Sequence, residues 1–558
     1  MGLSAKGDSA VRGRIGRVVV LAAAVAFVAA ACSSTEETSS SSTVAGGEGP
    51  RGGTLVAATD ADPGQFNPAI TTSGSVHTGA ELIYNGLVEL DEAQQPVPEL
   101  AESWEVLEDG ARYRFHLVEG VLWHDGTPFT SADVKFTFEE ALLQYHSRTK
   151  SSLSGVLDRI ETPDERTVEF VFNQPYAPLL QQLNVTEAPI IPKHIYEGTD
   201  IPNNDDANLR PVGTGPFVFE SYTPGSEVTF TANLNYFKEG LPLLDRVVLR
   251  IIPEDANQVA SLESGDIQWA FNVPGVEARR LDGSDEIDLL RTGNNPGGAN
   301  CIMTVSYNLD RPVLADVRVR RAIALGLDQQ RFLDNVLFGQ GAVAEAPIHS
   351  GIPFAHDPDV AMPGYDPEEA GRLLDAAGWG RDGGGTRTSR GVPGVPDGTP
   401  LSIDFLYFPT FNDYAQLAAA ELAEIGVDLR IGDTALERDP FVQRVFVDRD
   451  FDTNVISYCN GTDPEIGVRR MYVSSNINTN QFSNAAAYRN PDIDRLFDEA
   501  RAEVDTAART DLYRQISDIL VEDLPYYWLV ETTNVRGYRT SCSGFGPAGH
   551  FAEAASCS

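Results

Sequence analysis

The chain has 558 residues and a formal charge of −39, from 81 acidic and 42 basic side chains. A field of that sign repels nucleic acid and anionic membrane surfaces, so neither is expected as a ligand. The length exceeds what one hydrophobic core organises and suffices for two lobes or three subdomains.

Lys6, Arg12, Arg14 and Arg17 precede an apolar run from Val18 to Ala31, too short for a stable bilayer span and laid out as a secretory signal, residues 1–31. Residues 32–53 begin with Cys32 and continue as a Ser/Thr/Gly tract with almost nothing to bury, which predicts a flexible tether. Gly47 to Gly52 matches the letters of a dinucleotide fingerprint but lies before any strand, so it reads as linker.

Folded protein is expected from Thr54. Leu55 to Ala58 reads as a first strand, Val76 to Tyr84 as a helix, and Ala111 to Leu117 alternates Tyr113, Phe115 and Leu117 with Arg112, Arg114 and His116. Thr130 and Asp133 form a capping box for a helix through Leu143. Strands follow at 167–172, 217–221, 227–232 and 246–252. Helices then dominate, at 317–325, 330–337, 367–377, 414–425, 491–504 and 507–520, with Asn490-Pro491 as an N-cap and first helical position. Residues 378–400 read as a surface loop by composition. This mixture indicates an α/β protein of two lobes with a ligand cleft between them.

No Walker A loop is present, the eight histidines lack metal-site spacing, and no Gly-x-Ser-x-Gly elbow occurs, so neither cofactor nor metal is expected. Cys542 and Cys557 are close enough in sequence to staple the C-terminal tail; Cys301 and Cys459 either pair or remain buried thiols.

Two resemblances sharpen this reading. Val28-Ala29-Ala30-Ala31-Cys32 resembles the lipobox of bacterial lipoproteins, with Ala29 where Leu is usual, which implies lipidation of Cys32 and attachment to the outer face of the cell membrane. The ordered series Ile83–Val88, Pro98–Trp104, Trp123–Thr130, Gly213–Phe217, Asn235–Phe237, Ala260–Ile267, Val317–Ile323 and Leu373–Trp379 resembles the bacterial extracellular solute-binding proteins of family 5, the oligopeptide, dipeptide and nickel receptors of ABC importers.

The resemblance implies a two-lobed type II periplasmic-binding-protein fold with an extra subdomain in lobe I. Lobe I would comprise 54–294, with the inserted subdomain at about 88–205, lobe II 295–528, and 529–558 would return to lobe I. The hinge would lie near Thr292–Asn300 and Tyr527–Thr532. The implied protein is a monomeric, non-enzymatic receptor that encloses a peptide or peptide-like solute and delivers it to permease subunits.

Thr72, Ser73 and Ser75 are expected to line the cleft by resemblance. Tyr407, Phe411 and Tyr458 are aromatic candidates for the pocket, and Arg469 and Arg470 for an anion or for a solvated helix face. In peptide receptors an Asp four residues before a Pro binds the peptide's amino group; here that position is Asn460, which carries no charge. Asp463 is either a compensating carboxylate or the cap of a helix at Pro464. A non-peptide solute or metal chelate on the same fold, a secreted hydrolase and a sensor lipoprotein are the rival readings.

Overall fold

A computed structural model describes residues 51–91, 94–292, 300–477 and 482–545, together with 551 and 554. The signal, Cys32, Cys557 and hinge residues 293–299 lie outside the described residues, and with them the Cys542–Cys557 pairing.

Three sheets organise the chain. The first has seven strands in the spatial order 287–292, 534–539, 269–270, 54–59, 246–251, 227–232 and 217–223. Its central strand Thr54–Thr59 buries Leu55 and Ala57 and runs parallel to Arg246–Ile251 and to Trp269–Ala270. The second sheet orders 341–343, 526–532, 301–307, 453–459, 402–406 and 428–430. The third is an antiparallel sheet of 101–107, 112–117, 167–172 and 157–164. There the alternation is as the sequence suggests: Tyr113, Phe115 and Leu117 are buried, while Arg112 and Arg114 clasp Glu169 at 2.5 and 2.7 Å on the other face.

One apolar cluster underlies the first and third sheets and a separate one, from Ile302 to Val530, underlies the second. This is the two-lobed type II α/β fold, with the third sheet as the extra subdomain. Strand Tyr526–Thr532 belongs to the second sheet and Asn534 opens a strand of the first, so Thr533 alone carries the chain across. No helix among the described residues is long and apolar enough to cross a membrane.

Several family phrases meet at one place. Gly213 and Gly215 lie against the end of helix Gly74–Ile83, where an added Cβ would come within 1.7 Å and 2.6 Å of Ile83's backbone. His124 braces this loop: its Nδ1 accepts from the Gly213 N–H at 3.2 Å and its Nε2–H donates to the Gly215 carbonyl at 3.0 Å. Burial pushes His124 down to about 4, which keeps this neutral tautomer at pH 7.

The helix expected over 130–143 starts on its capping box, the Thr130 N–H donating to Asp133 at 2.9 Å, but winds as a π-helix from Thr137 to Leu142. The Thr137 hydroxyl donates to the Asp133 carbonyl and accepts from the Ile191 N–H, an insertion that loosens the regular ladder. The stretch 378–400 is also more ordered than its composition suggests. Trp379–Gly380 pairs with Thr388–Ser389, Trp379 is buried, and the buried Arg387 donates to the carbonyls of Ile425 and Trp379.

Two covalent or ionic ties hold the second lobe. Arg509, on helix Thr506–Asp523, makes two hydrogen bonds to the fully buried Asp463 at 2.9 and 3.1 Å and a third to the Ala500 carbonyl. Cys301 and Cys459 are directly opposed in neighbouring antiparallel strands and form a disulfide, which decides between the two readings of those thiols.

Arg509→Met strands the Asp463 carboxylate in the interior and is expected to cost about 3–5 kcal/mol in denaturant unfolding, partly restored by Asp463→Asn in the same chain. An unfolding midpoint unchanged in Arg509→Met would refute the tie. Because the disulfide spans 158 residues of sequence, Cys301→Ser/Cys459→Ser should lose up to about 5 kcal/mol in the chain-entropy limit. Addition of reductant should shift the wild-type midpoint by clearly more than that of the variant.

Candidate functional site

The segment after Cys459 is fixed by backbone geometry. The Asn460 N–H donates to the Asn300 carbonyl at 3.3 Å, the Asn300 side-chain amide donates to the Gly461 carbonyl, and Gly461 takes a left-handed φ of 60°. Gly467 packs so closely that an added Cβ would stand 2.5 Å from the Asn460 Cα. Asn460 is 1% exposed and its Oδ1 has no hydrogen-bond partner among the described residues.

Asp463 does not compensate for the missing charge at Asn460. Its Oδ1 accepts from the Glu465 N–H at 3.0 Å, capping the helix at Pro464, and both carboxylate oxygens are engaged by Arg509. The aromatic candidates are corrected as well. Tyr407 and Tyr458 are buried in the second lobe's core, their hydroxyls donating to the carbonyls of Ile431 and Ser483, and Phe411 packs on Phe408 and Tyr414. Tyr458 sits in a strand buried on both faces and Tyr407 just beyond the end of strand 402–406, placements that residue type alone does not carry.

Of the first-lobe candidates, Thr72 and Ser73 are exposed, and Ser73 and Ser75 share a 2.9 Å hydroxyl contact. The Thr72 hydroxyl lies 3.4 Å from that of Ser147, which begins helix Ser147–Leu153 and precedes Arg148.

Arg148 opens a polar group invisible to local motif reading. Its guanidinium lies 3.0 Å from buried Glu187, while its Nε is buried without a partner among the described residues. Arg470 reaches this pair from the second lobe. It is held by donating from Nε to the Gly467 carbonyl and from one terminal nitrogen to the Cys459 carbonyl, at 3.1 and 3.0 Å. Burial lowers the Arg470 pKa, with Arg148 and Glu187 among the charges acting on it. Burial likewise raises Glu187 against the opposing pull of Arg148 and Arg470. Arg469 instead pairs with Glu465 and Asp498, so the two adjacent arginines divide between ion pairing and the interlobe region.

Two histidines border Arg148. The rings of His77 and His146 are 5.9 Å apart, burial pushes His77 down to about 4 and His146 well below its usual value, and each leaves one ring nitrogen unpartnered. The residues of this cluster are scattered from 77 to 470; only assembly of the lobes makes it legible.

The serine and histidine nearest to a catalytic pairing are differently arranged. The Ser350 hydroxyl donates to Glu531, and His349 Nε2 stands 3.7 Å from the same carboxylate, so the serine proton is directed to the acid rather than to the imidazole. No group of three or more metal-binding side chains occurs among the described residues.

The model of bacterial extracellular solute-binding proteins, family 5 (middle region), matches residues 95–480. The dipeptide-binding protein of Escherichia coli K12 is 28% identical, over 88% of this chain and 92% of that protein. The solved structure of the oligopeptide-binding protein AppA from Bacillus subtilis, in complex with a nonapeptide, shares the fold with a TM-score of 0.72 and 24% identity. That match covers 92% of this chain and all of that one. AgaA from A. tumefaciens R10, in complex with agropinic acid, gives a TM-score of 0.72 at 25% identity, over 90% of this chain and 98% of that one. With the family's model matching well over half of its length, the chain belongs to the bacterial extracellular solute-binding proteins of family 5.

Proposed function

We propose that this protein is the lipid-anchored, extracytoplasmic receptor of an ABC importer and that it encloses a peptide or peptide-like solute between its lobes. Family membership supports the receptor role. The observation that carries the site is the packing of helix Pro464–Gly467 of one lobe against helix Ser147–Leu153 of the other, which brings Arg470 within the influence of Arg148 and Glu187, with Asn460 Oδ1 and Arg148 Nε unpartnered among the described residues. Buried polar atoms without partners are costly, and a bound solute would supply those partners on closure.

Closure would turn on the hinge expected near Thr292–Asn300 and Tyr527–Thr532, the second crossing lying at Thr533 where the chain changes sheet, and the closed form would be the one presented to the permease. In this reading the first lobe comprises 54–294 and the second 295–532, the return to the first lobe expected at 529 moving to Thr533 because strand Tyr526–Thr532 pairs within the second sheet. Cys32, behind a signal of the right length and before a polar tether, supports anchoring by lipid. The uncharged Asn460 favours a second reading of the ligand as a non-peptide solute.

Native mass spectrometry of the whole chain, before and after mild unfolding, should show a small solute that is released when the lobes come apart. A chain that retains nothing from peptides or cell extract, yet consumes one of the peptides, would exclude the receptor in favour of a hydrolase. Labelled palmitate should be incorporated by the wild type and not by Cys32→Ser, whose body should appear in the medium.

A further inference from the structure

The interlobe cluster has a charge imbalance opposite in sign to the rest of the molecule. The chain as a whole carries −39, yet among the described residues Arg148, 3.0 Å from Glu187, and Arg470 both act on that one carboxylate. Glu81, the other carboxylate acting on the cluster through His77, is offset by the buried Arg536. Glu187 is itself pinned, its N–H donating to the Asn184 side chain and its carbonyl accepting from the Thr149 hydroxyl. A cation enclosed by lobe closure without a counter-charge is strongly disfavoured, so one further negative group is called for.

The donors for it are in place. A guanidinium presents five N–H groups. Arg470 spends two on the carbonyls of Gly467 and Cys459, which hold it rigidly beside Asn460, and Arg148 has a buried Nε–H with no acceptor. The Asn460 carboxamide, with its oxygen unpartnered, can turn to present its NH2 instead. His77 and His146 are neutral and add hydrogen-bonding edges without opposing charge. An ammonium at the same point would meet the Arg470 guanidinium tethered to the adjoining carbonyl and no carboxylate on Asn460.

We propose that the solute is an anion whose acid group is received between Arg148 of the first lobe and Arg470 of the second, beside Asn460, and that it needs no free amine. The inference rests on the receptor reading above and names the chemical class that reading leaves open. A carboxylate suits the planar donor fork of arginine.

The test offers the whole chain an equimolar mixture of alanine di- to pentapeptides, each free, N-acetylated or C-amidated, with retention read by native mass spectrometry. Retention of the N-acetylated acids at least as strong as that of the free peptides is expected, with the C-amidated forms lost. Arg470→Met should weaken retention of the acids by about tenfold or more when both proteins are compared well below their unfolding midpoints, Arg470→Lys should restore part of it, and Asn460→Asp should shift preference toward peptides with a free amine.

Equal retention of the C-amidated peptides overturns the proposal. So does a co-purified solute that lacks an acid group, although such a solute leaves the receptor reading intact. If no peptide is retained, a co-purified acid whose occupancy falls in Arg470→Met supports the proposal, and one indifferent to that change overturns it. A protein that holds neither peptide nor any cell-derived solute removes the receptor reading and this inference together.

Discussion

The Asp463–Arg509 ion pair fixes the segment on which the candidate site depends. Its carboxylate caps the short helix at Pro464 and at the same time locks that helix to Thr506–Asp523 through two hydrogen bonds. Between the cap and the strand ending at Cys459 lie only Asn460, Gly461 and Thr462, so their positions are set from both sides. Arg470, six residues after Pro464, inherits its place from the same tie and bonds back to the Cys459 carbonyl. Burying an ion pair is justified energetically only when its remaining donors and acceptors are also met. Here they are met by the Glu465 N–H, the Ala500 carbonyl and the Tyr513 hydroxyl.

Arginine is used in the same way elsewhere in the interior. Arg320 gathers the carbonyls of Leu314, Ala315, Asp523 and Leu524, and Arg387 those of Trp379 and Ile425. Each is buried, and each satisfies carbonyls at helix ends or loops that the backbone alone leaves open. In a chain with nearly twice as many acidic as basic side chains, these guanidiniums are structural fasteners, and Arg470 differs in lying where the lobes meet.

Much of the fold was legible because its determinants are local. The alternation of Tyr113, Phe115 and Leu117, the Thr130–Asp133 box and the Asn490-Pro491 start each express a period or a cap within a few residues. What was not legible is decided at long range. Arg387 orders a glycine-rich loop through a carbonyl thirty-eight residues away, and Tyr407 and Tyr458 are core residues because the elements around them are packed on every side. The cysteine pairing was open until register set Cys301 opposite Cys459. For the site, Asn460 was found through a motif, whereas Arg148, Glu187 and the two histidines carry no pattern that distinguishes them from surface residues.

The disulfide has a consequence for how binding free energy is distributed. Asn460 follows one half-cystine, Asn300 precedes the other, and the two asparagines are joined by a backbone hydrogen bond and by the Asn300–Gly461 contact. If this loop meets the solute as proposed, it does so preorganised: its conformational entropy is surrendered during oxidative folding rather than at each encounter. Under the proposed closure, apparent affinity would then scale with the fraction of molecules whose lobes are closed, and a substitution at Thr533, where the chain changes sheet, could retune it without touching a contact residue.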